Sequence, residues 1–102
     1  MKLSEMTTYE CAKALTHDEF AAWTRSGAFA LVEYLEQMED EYETSIEFDP
    51  VALRCEYSEY DTAIEAAQAY TSEFTTEESA LEYLENNTTV INHSNGILVQ
   101  DF

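Results

Sequence analysis

Positive charge is almost missing from this chain. Its 102 residues hold four Lys and Arg against 22 Asp and Glu, a formal net charge of −18. The last cation is Arg54, and ten acids follow it. Without a basic patch, direct nucleic-acid binding is excluded. The same field repels anionic membranes and acidic substrates, and it attracts basic surfaces. Glycine is scarce as well: Gly27 and Gly96 are the only two, so no phosphate-cradling loop exists. The two cysteines, Cys11 and Cys55, make no closely spaced metal or redox motif. The N-terminus lacks the basic head and apolar core of a signal peptide. Both thiols are therefore expected reduced, in a cytoplasm. No apolar run approaches the roughly 20 residues of a membrane span. The calcium-loop pattern is absent, and only five of the 22 acids are Asp, so neither metal nor cofactor is expected.

What is present argues for a folded chain. Hydrophobic residues make up 45% and aromatics 13%, too rich for disorder despite the charge. The length suits a single domain over 1–102. Residues 47–61, EFDPVALRCEYSEYD, stand at its centre. Val51, Leu53, Cys55 and Tyr57 alternate with Ala52, Arg54, Glu56 and Ser58, the period of a strand with one buried face. Pro50 fits the entrance of such a strand. At the end of the chain, residues 88–92 and 97–101 flank His93-Ser94-Asn95-Gly96, and Asn-Gly is a favoured hairpin turn. A lone hairpin is marginal, so pairing with residues 51–57 is expected.

The remainder reads as helix. Residues 1–26 suggest two helical pieces, the second opened by a capping box at Thr16–Glu19, with Gly27 as a stop or bend. Residues 28–42 give the clearest pattern. Leu31, Tyr34, Leu35, Met38 and Tyr42 form one stripe opposite Glu33, Glu36, Asp40 and Glu43. Asp61 is placed to cap a helix over 62–70, residues 71–76 read as a loop, and Thr75 with Glu78 suggests another capping box. That last box would open a helix to about Asn86, with Leu81 and Leu84 inward and Glu78, Glu82 and Glu85 outward. The fold class is therefore α+β: acidic helices against a three-stranded antiparallel sheet over 51–57, 88–92 and 97–101. Its expected core is Tyr34, Leu35, Met38, Leu53, Cys55, Leu81, Leu84, Ile91 and Leu98.

No catalytic constellation emerges, and an enzyme is not expected. A Cys55–His93 nucleophile pair on adjacent strands is conceivable, but a packed cysteine and a turn histidine explain both residues more simply. The acidic faces carry the functional reading. Carboxylates three or four residues apart on a helix lie roughly 5–6 Å from one another, similar to successive phosphates. Proteins grip DNA with Lys and Arg, so acidic stripes on a small body could fill a DNA-binding cleft. Halophilic acidity is the main rival, although Glu outnumbers Asp here 17 to 5. A generic acidic module for a basic partner is another.

EFDPVALRCEYSEYD, followed by an acidic helix and TTVI…NGILVQDF, resembles a group of small acidic proteins encoded by bacteriophages and prophages. The likeness covers roughly residues 28–102. It implies a phage setting, in which small acidic proteins include DNA-like anti-CRISPR and antirestriction proteins. The expected partner is the basic DNA-binding surface of a host defence protein. The expected contacts are Glu33, Glu36, Asp40 and Glu43, then Glu78, Glu82 and Glu85, and, more weakly placed, Glu56, Glu59 and Asp61.

Overall fold

The computed structural model describes residues 1–71 and 74–102. The protein is α+β, and the described residues form five α-helices, α1 (Thr8–Thr16), α2 (Arg25–Tyr42), α3 (Pro50–Glu56), α4 (Ala63–Gln68) and α5 (Glu77–Asn87). A 3-10 turn over Leu3–Glu5 precedes them. Strands β1 (Tyr57–Tyr60), β2 (Val90–His93) and β3 (Gly96–Gln100) form an antiparallel sheet in the order β1-β3-β2. The central strand is β3, with Glu59 opposite Leu98 on one side and Ile91 opposite Leu98 on the other.

That register divides the side chains of the sheet between two cores. Tyr57, Ile91 and Leu98 pack with α1, α2 and α3 against Leu15, Trp23, Leu31 and Val32. Ile97 and Val99 face the other way, onto α4 and α5, where Ala63, Ala66, Ala67, Ala80 and Leu84 are buried. The sheet thus lies between two helical layers, and α2 and α5 cover opposite faces of it.

The middle of the chain departs from expectation. Residues 50–56 are helix α3, and the strand begins only at Tyr57. Asp49 provides the reason. Its Oδ1 accepts the N–H groups of Val51 and Ala52 at 3.1 and 3.3 Å, and Pro50 occupies the first helical turn, where its missing N–H is no loss. The alternation also hid a helical spacing: Leu53 and Tyr57, four apart, are buried, whereas Val51 and Cys55 are exposed. Cys55 is therefore not core.

Of the other expected core residues, Leu35, Leu84 and Leu98 are buried, and Tyr34, Met38, Leu81 and Ile91 are half-buried. Tyr42, at the end of the α2 stripe, is 69% exposed. Burial pushes the hydroxyl of Tyr57 up to about 12, with Tyr34 and Glu56 adding to the shift.

Helix starts differ from the sequence signals by small steps with clear causes. The capping box at Thr16 does not form. Thr16 ends α1, and its hydroxyl donates to the Lys13 carbonyl. A reciprocal box forms instead at Thr7 and Glu10, where it opens α1. Helix α2 is capped by Thr24, α4 by Thr62 and α5 by Thr76. The loop expected over 71–76 lies partly outside the described residues.

Both glycines serve close approach. Gly27 does not stop a helix but sits in the first turn of α2, where an added Cβ would run into the Glu59 carboxylate. The hairpin turns on Ser94 and Asn95, and Gly96 opens β3 at φ 155 with the Tyr60 carbonyl where a Cβ would be.

Candidate functional site: an acidic exterior with engaged and free carboxylates

Acids that look alike in sequence fall into two populations. One population is built into the fold. Glu36, on the flank of α2, accepts the Thr8 hydroxyl at 2.8 Å and ties α1 to α2. Glu39 accepts the Ile46 N–H at 2.8 Å. Glu77 reaches back from α5 to the N–H groups of Ala63 and Ile64, at 2.6 and 3.1 Å, and so caps α4 from outside. Asp18 pairs with Arg54 at 3.1 Å.

Glu59 is the most deeply engaged of the expected contacts. Its carboxylate lies under the start of α2, accepting from the Thr24 N–H at 2.8 Å and from the Thr24 hydroxyl. His93 Nε2 approaches its Oε2 to 3.0 Å, and the two side chains are only 3% and 10% exposed. On the far side of the ring, Nδ1 meets Ser26 Oγ at 3.0 Å and the Asn95 N–H at 3.2 Å. Toward the Asn95 N–H, Nδ1 is the acceptor. Nε2 is at ion-pair distance from Glu59 but out of hydrogen-bond alignment. The chain Asn95–Ser26–His93–Glu59–Thr24 pins the hairpin and β1 to one helix end. Sequence reasoning missed it because its members lie 35 and 67 residues apart.

The second population is free. Glu33, Asp40 and Glu43 project from α2, and Glu78, Glu82 and Glu85 from α5; all six are exposed and make no hydrogen bond or ion pair among the described residues. Glu56 and Asp61 flank β1 and are exposed as well. Glu43 takes the left-handed conformation at φ 50 that ends α2. The two helical stripes lie on opposite faces of the sheet, so they form two separate acidic rows and not one patch. Beside the α2 row runs a groove of about 580 Å³ between α2 and the edge strand β2, lined by Phe29, Glu33, Tyr34, Ile91 and His93.

The described residues hold no cluster of three or more His, Cys, Asp or Glu arranged for a metal ion. Burial, followed by the charges of Glu36, Glu10 and Glu39, raises the Cys11 thiol, which opposes formation of a reactive thiolate. Cys55 is exposed on α3, away from the ladder that carries His93, so the conceivable pair on adjacent strands does not form. No described helix is long and apolar enough to cross a membrane. The chain matches no protein-family model, no curated protein and no solved structure.

Proposed function

We propose that this protein is a phage-encoded inhibitor that binds a host nucleic-acid-binding defence protein, a CRISPR effector or a restriction enzyme, in place of DNA. Its site of action is then the cytoplasm of the bacterial host. Charge density carries the reading. A net charge of −18 spread over a longest extent of 43 Å amounts to one charge per about 2.4 Å. Duplex DNA carries one per about 1.7 Å of axis. The free carboxylates stand in two rows on opposite faces of one small body, as two backbones flank a duplex. Rows fixed on helices that pack against a sheet lose little freedom on binding, which favours affinity. The setting follows from the resemblance of EFDPVALRCEYSEYD and TTVI…NGILVQDF to small acidic phage proteins.

The experiment is capture from a lysate of bacteria that carry CRISPR and restriction systems, followed by elution with duplex DNA. A DNA-binding nuclease is expected on the column. Saturating duplex should release it, and binding should weaken steeply with salt. Changing Glu33 and Glu43 to Gln with Asp40 to Asn, or Glu78, Glu82 and Glu85 to Gln, should weaken binding and flatten that salt dependence. A captured target that saturating DNA does not displace overturns occupancy of the DNA site.

A further inference from the structure

Two of the four Lys and Arg come together. Lys13 in α1 and Arg25 at the first position of α2 line one cleft of about 330 Å³ between the two helices, together with His17, Tyr9, Trp23 and Phe29. No Asp or Glu among the described residues lines it, in a chain with 22 of them. Neither Lys13 nor Arg25 pairs with a carboxylate among the described residues, whereas Arg54 is held by Asp18. Their nearest partners are aromatic faces, with Lys13 over Tyr9 at 5.9 Å and Arg25 over Phe29 at 5.7 Å. Trp23, 9% exposed, lines the cleft as well, and its Nε1–H is buried without an acceptor among the described residues.

Cations without counter-charges and an aromatic lining describe one kind of ligand. We propose that the α1–α2 cleft binds a small anion carried on an aromatic ring, an aryl carboxylate or an aryl phosphate. Lys13 and Arg25 hold the anionic head, and Tyr9, Trp23 and Phe29 hold the ring. The cleft falls in the lower range of small-molecule sites by volume. Arg25 lies at the positive end of the α2 macrodipole, which also favours an anion there. The site does not depend on the acidic rows and would stand or fall apart from them.

Trp23 is the only tryptophan in the chain and reports on this cleft; it also lines a second one with Phe20 and Arg54, and the Lys13 and Arg25 variants below tell the two apart. The test is titration of the full-length protein with benzoate and with phenyl phosphate, beside benzyl alcohol and inorganic phosphate. A saturable change is expected with benzoate or phenyl phosphate, and whichever binds more tightly identifies the head group. Benzyl alcohol and inorganic phosphate should each bind at least about tenfold more weakly. Lys13→Gln with Arg25→Gln should reduce the anion's affinity by about tenfold or more, with unchanged circular dichroism. Lys2→Gln, away from the cleft, should leave it unaltered. The proposal is overturned if neither aryl anion gives a saturable change, if benzyl alcohol matches them, or if the double variant binds as well as the parent. Inorganic phosphate binding as tightly as phenyl phosphate overturns the role of the ring.

Discussion

The two sides of the sheet are built differently. Toward α1, α2 and α3, six of the thirteen buried residues are Leu, joined by Trp23, Phe48 and Tyr57. Toward α4 and α5, four of the seven are Ala. Large side chains bury more apolar area, about 25 cal/mol for each Å², so the first side contributes more hydrophobic stabilisation. The carboxylates follow this division only in part, because Glu33, Asp40 and Glu43 stand free on α2. On the first side Asp18, Glu36, Glu39 and Glu59 are hydrogen-bonded into the structure. On the second, Glu77 is engaged, while Glu78, Glu82 and Glu85 face solvent. One side carries the larger side chains and most of the engaged acids. Both display charge, the second on an alanine-spaced scaffold.

The sharpest way to break that comparison is to cut a fully buried leucine on each side. Leu31 and Leu84 are both 0% exposed. Leu31→Ala should cost about 4 kcal/mol and Leu84→Ala about 3 kcal/mol, both within the range for leucine truncations and scaled by the cavity left behind. Urea unfolding measures both. A greater loss at Leu84 would mean that the alanine-rich side carries the fold.

The next test separates engaged from free acids along a single strand end. Glu59→Gln places an amide, with donors of its own, against the Thr24 donors and removes the charge beside His93. A loss of about 1–3 kcal/mol is expected, the cost of leaving a buried polar group unanswered. Glu56→Gln and Asp61→Asn, exposed three and two residues away, should stay within about 0.5 kcal/mol of the parent. Equal effects at all three positions would erase the distinction between the two populations.

That distinction was the part least legible in the sequence. The α2 stripe, the outward row of α5 and the C-terminal hairpin follow from local periodicity and turn chemistry, and all three form. A three-stranded antiparallel sheet forms as expected, but its first strand is Tyr57–Tyr60 and not 51–57. Where several local signals competed, the choice went astray: Asp49-Pro50 makes a stronger helix start than the alternation of 51–57 makes a strand. Beyond that, the role of an acid depends on which N–H group comes to rest beside it. Glu36, Glu59 and Glu77 meet partners 28, 35 and 14 residues away, and nothing in their immediate neighbours announces the meeting. Of the ten acids expected to contact a partner, Glu36 and Glu59 thus have structural work, Glu59 in near-complete burial.

The smallest effect tests whether the α5 row is free in energetic terms. Glu78, Glu82 and Glu85 stand four and three residues apart, and each such like-charge pair costs about 0.2–0.5 kcal/mol. The helix dipole splits the three. Glu78 is in the first turn of α5, where negative charge is favoured, and Glu85 lies in its last turn, where it is not. Glu82→Gln with Glu85→Gln therefore removes two repulsions and one unfavourable dipole contact. It should raise stability by about 0.5–1 kcal/mol in low salt. Adding Glu78→Gln should give nothing further, because no like-charge pair remains and a favourable end charge is lost. The gain should fade as salt approaches about 1 M, where the Debye length falls to about 3 Å. Urea unfolding at two salt concentrations reads all of this. If the double variant is less stable than its parent at low salt, Glu82 or Glu85 holds the fold after all, and the alanine-spaced side is not merely a platform for charge.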